Sequence, residues 1–136
     1  MTVQNEILAK ATEFLRDEVY PRANEIDRDP ESLRWALDGL CKRELMALRR
    51  PSEYGGPALS EGMFREFQER VARYSGSLAF LQTQHQSAGS MIAKSDNEKL
   101  KRATLPLMAD GRRLIGIGFS QLRRPAGLPR RRDNIC

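Results

Sequence analysis

The sequence predicts an all-α fold, a helical bundle, with one short β-strand near the C-terminus. Apolar residues recur at helical spacing over most of the chain, a pattern typical of amphipathic helices. A segment with two prolines and a glycine pair separates the second helix from the third. A third observation is a run of 19 residues, 75–93, without Asp, Glu, Lys or Arg. The length of 136 residues and the hydrophobic content of 40% are typical of one globular domain.

The first part of the chain predicts two helices. Residues 3–20 carry apolar residues on one side and charged residues on the other. Pro21 is expected to kink or restart this helix, which can continue through Ile26. The second helix is expected to begin near Pro30, a residue suited to a first turn, and to end near Arg43.

A loop is predicted over Arg49–Ser60, RRPSEYGGPALS, because its prolines and glycines disfavour regular structure. An aromatic residue on a loop of this kind is usually anchored, so we expect Tyr54 to lie in a pocket or against the core. Ser60 is expected to cap the helix that follows, which ends near Tyr74 and turns its charged residues to solvent.

The charge-free run is predicted to be a buried helix, because charged side chains are rarely buried unpaired. Its polar centre, residues 82–87, makes it unsuited to crossing a bilayer, so no membrane partner is predicted. Two interpretations follow from the spacing: a core helix whose polar groups bond to neighbouring backbone, or a helix that lines a ligand cavity. The residues of one stripe are Leu78, Leu81, Gln84, His85, Ala88 and Ile92.

The last part of the chain predicts a short helix and then the strand. Ser95 and Glu98 match a capping box, and Pro106 is expected to break the helix that they begin. The run Leu114–Phe119, LIGIGF, is predicted to be the strand. Residues 123–136 lack apolar periodicity and are expected to be a disordered, Arg-rich tail.

The net charge of +5 is concentrated at the C-terminal end. Seven Arg and no acid lie between Arg112 and Arg132, whereas residues 1–111 carry 16 basic and 17 acidic residues, a net charge of −1. An Arg-rich end attracts phosphate non-specifically, but no aromatic platform is interleaved with these arginines. We therefore predict no nucleic-acid partner.

The cysteine content predicts neither a metal site nor a disulfide framework. The sequence has two cysteines, Cys41 and Cys136, without metal-ligand spacing. The N-terminus has no basic region followed by an apolar block, so no signal peptide is expected. A reducing cytoplasm is the simplest location.

Four passages resemble the N-terminal helical domain of the acyl-CoA dehydrogenase family. They match, in the family's order and spacing, a P-E-E-Y-G-G loop, a helix pair, an L-P-x-L-A-x-G segment and the first strand of the following domain. The match covers residues 3–122. The passages are PSEYGG (51–56), ARYSGSLAFLQTQHQSAGSMI (72–92), NEKLKRATLPLMADGRR (97–113) and LIGIGFSQ (114–121).

The resemblance implies the first third of a three-domain enzyme. Residues 1–113 would be the helical domain, residues 114–122 the start of a truncated middle β domain, and residues 123–136 the tail. The family oxidises the α,β bond of an acyl-CoA thioester and transfers a hydride to FAD. Its general base, a Glu, comes from the C-terminal part, so we predict no catalytic residue here and no activity for this chain alone.

The resemblance also implies two groups of ligand-contacting residues. The charge-free helix matches the family helix that lines the acyl pocket, although His85 is equally compatible with a satisfied core histidine. The residues carried over as substrate-binding are Leu81, Gln84, His85 and Ala88. The residues carried over as FAD-binding are Phe119, Ser120 and Gln121. The sequence departs from the family just beyond them, where Arg123 and Arg124 replace small residues.

A second function class is a non-enzymatic helical interaction module. Helix faces meant for other domains would be exposed in this chain, and exposed apolar patches promote association. Such a module, or the enzyme itself, is compatible with a homo-oligomer.

Overall fold

The computed structural model describes residues 2–119, and within this range the chain is helical with no β-strand. The prediction of an all-α bundle is confirmed. The α-helices are α1 (Val3–Phe14), α2 (Ala23–Arg28), α3 (Pro30–Lys42), α4 (Glu61–Tyr74), α5 (Gly76–Lys94) and α6 (Glu98–Thr104). Shorter turns are a π-helical turn, Leu15–Val19, and three 3-10 turns, Tyr20–Arg22, Ser52–Tyr54 and Leu105–Leu107.

The strand predicted at Leu114–Phe119 is not present in the described residues, and this corrects the sequence prediction. Residues 114–118 have no regular secondary structure. A strand is stabilised by a hydrogen-bonded neighbour, and the range 2–119 supplies no second strand to pair with this one. The expected tail at 123–136 lies outside the described residues.

The first predicted helix has the expected extent but changes type along its length. α1 begins after Thr2, whose side-chain oxygen accepts a hydrogen bond from the Asn5 N–H at 3.2 Å. The α-helical pattern then widens to a π-helical turn and tightens to a 3-10 turn that contains Pro21. Proline has no N–H to donate and its ring crowds the preceding turn, which explains the interruption.

Side-chain caps fix the starts of the later helices. Asp29 accepts from the N–H groups of the first turn of α3, and Ser60 accepts from the Met63 N–H at 3.3 Å, as predicted for the start of α4. The predicted capping box at Ser95 is wrong, because the side chain of Asn97 caps α6 instead. The Ser95 hydroxyl donates to the Ile92 carbonyl at 2.8 Å and so belongs to the end of α5.

The main core lies between α1, α3, α4 and α5. Phe14 and Phe67 are among its largest fully buried side chains, and each such side chain contributes about 1.5–3 kcal/mol on burial. The ring of Phe14 rests on Gly39 of α3, where an added Cβ would lie 2.2 Å from the ring Cζ atom. Glycine at this position therefore lets α1 and α3 approach closely.

A smaller apolar cluster lies beneath the loop Arg49–Ser60, called the Gly/Pro loop below. Its buried members are Ala47, Leu105, Met108 and Ala109, with Tyr54, Ile92, Ala93 and Ile115 packed around them. α5 joins the two clusters, because Leu78 belongs to the main core and Ile92 packs on the smaller cluster. This arrangement places the charge-free helix at the centre of the described residues.

Candidate functional site

The charge-free run forms α5, so the prediction of a helix there is confirmed. Its inward side combines apolar and polar residues, which must find partners because water is excluded. The buried residues of this helix are Leu78, Gln82, His85, Gln86, Ala88 and Gly89.

Gln86 holds the segment that follows α3. Its Oε1 accepts a hydrogen bond from the Leu48 N–H at 3.0 Å, and its Nε2 donates to the Leu45 carbonyl at 3.0 Å. All three residues are buried. The side-chain amide thus satisfies backbone groups of an irregular segment that has no strand or helix to pair with.

A chain of amides continues from Gln86 toward α4. Gln86 Nε2 also donates to Gln82 Oε1 at 2.9 Å, and Gln82 Nε2 donates to Gln68 Oε1. The hydroxyl of Thr83 donates to the same Gln68 oxygen at 2.8 Å. This network ties α4, α5 and the 45–48 segment together without using a charged group.

His85 is buried, with 3% of its surface exposed, and both of its ring nitrogens have backbone partners. Nε2 lies 3.1 Å from the Met108 carbonyl oxygen, and Nδ1 accepts the Ile115 N–H at 3.1 Å. Burial lowers the pKa of His85 below the ordinary value of 6.5, against the opposing effect of the two backbone hydrogen bonds. The ring is therefore neutral at pH 7, with its proton on Nε2.

Tyr54 anchors the Gly/Pro loop as predicted. Its ring packs on the smaller apolar cluster, and its hydroxyl donates to Glu98 Oε2 at 2.7 Å. The same carboxylate receives Lys101 Nζ at 3.1 Å. The hydrogen bond to Glu98 raises the pKa of Tyr54, and the bond from Tyr54 lowers the pKa of Glu98.

Arg50 joins the same loop to the turn after α6. Its Nη1 donates to the carbonyls of Leu105 and Pro106 at 3.0 and 3.2 Å, and its Nη2 donates to the Gly55 carbonyl at 3.0 Å. The backbone of Arg50 also packs closely against Gly56, where an added Cβ would lie 2.1 Å from the Arg50 carbonyl oxygen. Position 56 of the glycine pair therefore has no room for a side chain.

The residues expected to contact substrate lie along one side of α5. Leu81 and Gln84 are half-buried, whereas His85 and Ala88 are buried. Among the hydrogen bonds within residues 2–119, none involves the side-chain amide of Gln84. Phe119, expected to contact flavin, is 48% exposed, while Ser120 and Gln121 lie outside the described residues.

Phe80 and Met91 stand out on the remaining side of α5. Phe80 is 70% exposed and Met91 is 51% exposed. They are eleven residues apart, close to three helical turns, so they lie on the same face. This face of α5 carries two exposed apolar side chains with Ser87 between them, and no charged residue lies from Gly76 to Ala93.

A small cavity borders the inner side of α5. A cavity of about 10 Å³ lies beside Gln86, Gly89 and Met108, which is room for no more than one water molecule. A larger cavity of about 630 Å³ is lined by charged residues near the end of α3 and contains none of the predicted site residues.

A flavin site is not enclosed by residues 2–119 alone. Phe119 is the described member of the predicted flavin-contacting group, and its exposed ring offers one surface. An isoalloxazine ring needs fixed donors and an enclosing pocket. The described residues do not fit FAD by themselves, and we derive no step of a reaction through it.

The described residues were also compared with the requirements of a membrane-spanning helix and of a metal site. No helix within 2–119 has both the length and the apolar character that crossing a bilayer requires. In the same range no three His, Cys, Asp or Glu side chains cluster as metal ligands. Cys41 is a buried free thiol, and burial raises its pKa.

The sequence prediction missed the buried amides of α5. It placed Gln84 within the inner stripe, whereas Gln82 and Gln86 are the glutamines that the structure buries. The signal was present, because Gln82 and Gln86 share a helical face with Leu78 and Gly89 at spacings of three and four residues.

Comparison with known proteins agrees with this architecture. The family model described as "Acyl-CoA dehydrogenase, N-terminal domain" matches residues 2–112. The chain is 25% identical over 121 residues to the mitochondrial isovaleryl-CoA dehydrogenase of Pongo abelii, covering 87% of this chain and 29% of that protein. It is 22% identical over 122 residues to the 3-(aryl)acrylate reductase of Clostridium sporogenes, covering 88% and 32%.

The chain therefore spans about a third of the length of these curated relatives. The family model, in contrast, covers most of the chain, from Thr2 to Arg112. On this basis the chain belongs to the acyl-CoA dehydrogenase family of oxidoreductases and corresponds to its helical N-terminal domain.

Proposed function

We propose that this chain is the N-terminal part of a flavin-dependent acyl-CoA dehydrogenase in which α5 forms one wall of the acyl pocket. One observation carries the proposal. The inner side of α5 is closed by the hydrogen bonds of His85 and Gln86, while its other side is uncharged and carries exposed Phe80 and Met91. A helix with both properties suits a rigid, apolar surface against a ligand or another domain.

The residues along that wall have distinct proposed roles. Leu81 offers apolar contact to an acyl chain, the half-buried amide of Gln84 offers a polar group at the edge, and Ala88, which is buried on the inner side, contributes its small size to the wall. His85 contributes a fixed ring to the wall, since both ring nitrogens are hydrogen-bonded to backbone groups. The acyl substrate would enter as a CoA thioester.

The proposed reaction is the α,β-oxidation of that thioester. In the intact enzyme, FAD would supply the acceptor for the hydride and a base would take the α-proton. We assign neither step to residues 2–119. We propose that Phe119, Ser120 and Gln121 face the flavin, because a hydroxyl and backbone donors stabilise the charge that reduced flavin develops.

The domain organisation is part of the same proposal. Residues 1–113 form the helical domain, residues 114–122 begin a middle β domain, and residues 123–136 form an Arg-rich tail. The chain alone is then inactive, because other domains enclose the flavin. The buried free thiol of Cys41 suits a reducing compartment, which supports a cytoplasmic location.

A second candidate function is a helical interaction module without catalysis. The exposure of Phe80 and Met91 on one face favours it, because such a face promotes association with another protein or a second copy. Light scattering after size-exclusion chromatography tests this association, and a monomeric chain would contradict it. A Phe80→Ser variant that converts a self-associating chain to a monomer supports the module.

Domain replacement tests the enzymatic proposal. The 136-residue chain is joined to the middle and C-terminal domains of a family member in place of that protein's own N-terminal domain. We expect bound flavin to bleach on addition of acyl-CoA, and Leu81→Trp to raise KM more for long acyl chains than for short ones. Val3→Trp, at an exposed site on α1, is the matched control. A chimera that holds flavin, but whose flavin is bleached by none of the acyl-CoA thioesters added, contradicts the proposal.

A further inference from the structure

We propose that His85 is a positioning residue, which holds the segment Met108–Ile115 against α5 through both ring nitrogens. The proposal deepens the proposed function and rests on it in one respect: this segment leads directly to Phe119, the first residue proposed to face flavin. His85 would then act on the cofactor side through the backbone rather than by contact with a ligand.

The geometry selects one form of the ring. A carbonyl oxygen can only accept and a backbone N–H can only donate, so Nε2 must donate to Met108 and Nδ1 must accept from Ile115. A neutral imidazole with its proton on Nε2 meets both requirements. A protonated ring has a hydrogen on Nδ1 and cannot accept from the Ile115 N–H.

The two bonded positions differ in how much they depend on His85. The Met108 carbonyl also accepts the Gly111 N–H at 3.3 Å, within the turn that Gly111 makes with φ at +75°. Within residues 2–119, the Ile115 N–H has no second partner. In the same range, the backbone of the irregular segment 114–118 is held by the hydrogen bond from the Ile115 N–H to His85.

Packing alone does not replace this bond. Ile115 is half-buried against the smaller apolar cluster, so its N–H has limited access to water. An apolar side chain at position 85 would fill the space but leave that N–H without an acceptor, which is unfavourable in a water-poor site. The imidazole thus sets the distance between α5 and the segment as well as its register.

The surroundings contain no charged partner that would change the ring's state. Burial and the two backbone bonds account for the shift in the pKa of His85. α5 itself has no charged residue between Gly76 and Ala93. The charged groups on the neighbouring segments have their own partners: Asp110 with Arg112, Arg113 with the Ala103 carbonyl, Glu98 with Lys101 and Tyr54, Asp38 with Arg34, and Asp27 with Ser77.

The test measures amide hydrogen exchange at Ile115 in the full 136-residue chain by NMR. We expect the protection of this amide to fall about tenfold in His85→Phe, which keeps an aromatic ring but removes the acceptor. His85→Asn places a side-chain oxygen near the former Nδ1 position and should restore most of the protection. The Leu40 amide in α3 should be unchanged in both variants.

A titration of the wild-type chain keeps the proposal falsifiable if His85→Phe does not fold. As the imidazole signals move to those of the protonated ring, protection at Ile115 should fall while protection at Leu40 is retained. Equal protection at Ile115 in wild type and His85→Phe, or constant protection through the titration, overturns the proposal. Neither measurement uses flavin or acyl-CoA, so a failure of the His85 proposal can be distinguished from a failure of the proposed enzymatic function.

Discussion

The side chain of Gln86 on α5 is hydrogen-bonded to the backbone of Leu48, with Oε1 3.0 Å from the amide nitrogen. The same amide group donates to the Leu45 carbonyl at 3.0 Å. A single glutamine therefore performs for the 45–48 segment the function that a neighbouring strand would perform. It explains how an irregular segment can be buried beside a helix without orphaned backbone groups.

Replacement of Gln86 by Ala should destabilise the chain by about 2–4 kcal/mol, because two buried backbone groups lose their partners. The free energy of unfolding from urea titration measures this. Gln84→Ala is the matched control, since Gln84 is half-buried on the same helix, and it should cost no more than about 0.5 kcal/mol. Equal losses in the two variants would contradict this role for Gln86.

A methyl group at Gly56 should also destabilise the chain. Its Cβ would lie 2.1 Å from the Arg50 carbonyl oxygen, which is backbone and cannot rotate away. We expect Gly56→Ala to cost about 1–3 kcal/mol. Gly62, in the first turn of α4, has open space around its Cβ position, so Gly62→Ala should be neutral or stabilise by about 0.5 kcal/mol. Thermal denaturation of both variants checks the contrast.

Glu44 is a site where glycine should be better than the native residue. It follows α3 with φ at 56°, in the left-handed region that is unfavourable for a residue with a Cβ. Because Glu44 is exposed, Glu44→Gly should stabilise the chain by about 0.5–1 kcal/mol. Lys42→Gly, two residues earlier at the last residue of α3, should instead destabilise the chain. Stability unchanged by Glu44→Gly would show that the strain is relieved in solution.

Acidification should weaken the fold through His85. Since burial lowers its pKa below 6.5, the unfolded chain binds a proton at higher pH than the folded chain does. The stability that depends on the neutral ring is present above the unfolded pKa and is lost as the pH falls toward the folded pKa. We expect the urea midpoint to drop between about pH 7 and pH 5.5 by more in wild type than in His85→Asn. An identical drop in the two proteins would contradict the assignment.

The helices themselves could be predicted from the sequence, because each has a local signal. Periodic apolar residues marked α1, α3 and α4, and the hydroxyl of Ser60 was the expected cap. The absence of charge in residues 75–93 predicted a buried helix, and one side of that helix is buried, whereas Phe80 and Met91 are exposed. These properties depend on nearest neighbours along the chain.

The features that could not be predicted depend on contacts between distant segments. The helical face that Gln86 shares with Leu78 points to its burial, but its partners Leu48 and Leu45 lie 38 and 41 residues away. The partners of His85 lie 23 and 30 residues away. The strand at Leu114–Phe119 was expected from composition, but a strand needs a partner that local sequence does not reveal.

The most direct test of the central claim is a flavin titration of the purified 136-residue chain, followed by absorbance and by quenching of flavin fluorescence. If α5 is one wall of a pocket that other domains complete, FAD should show no tight binding to the chain alone. It should bind at one equivalent when the middle and C-terminal domains of a family member are joined to the chain. Tight, stoichiometric binding of FAD by the chain alone would contradict the account.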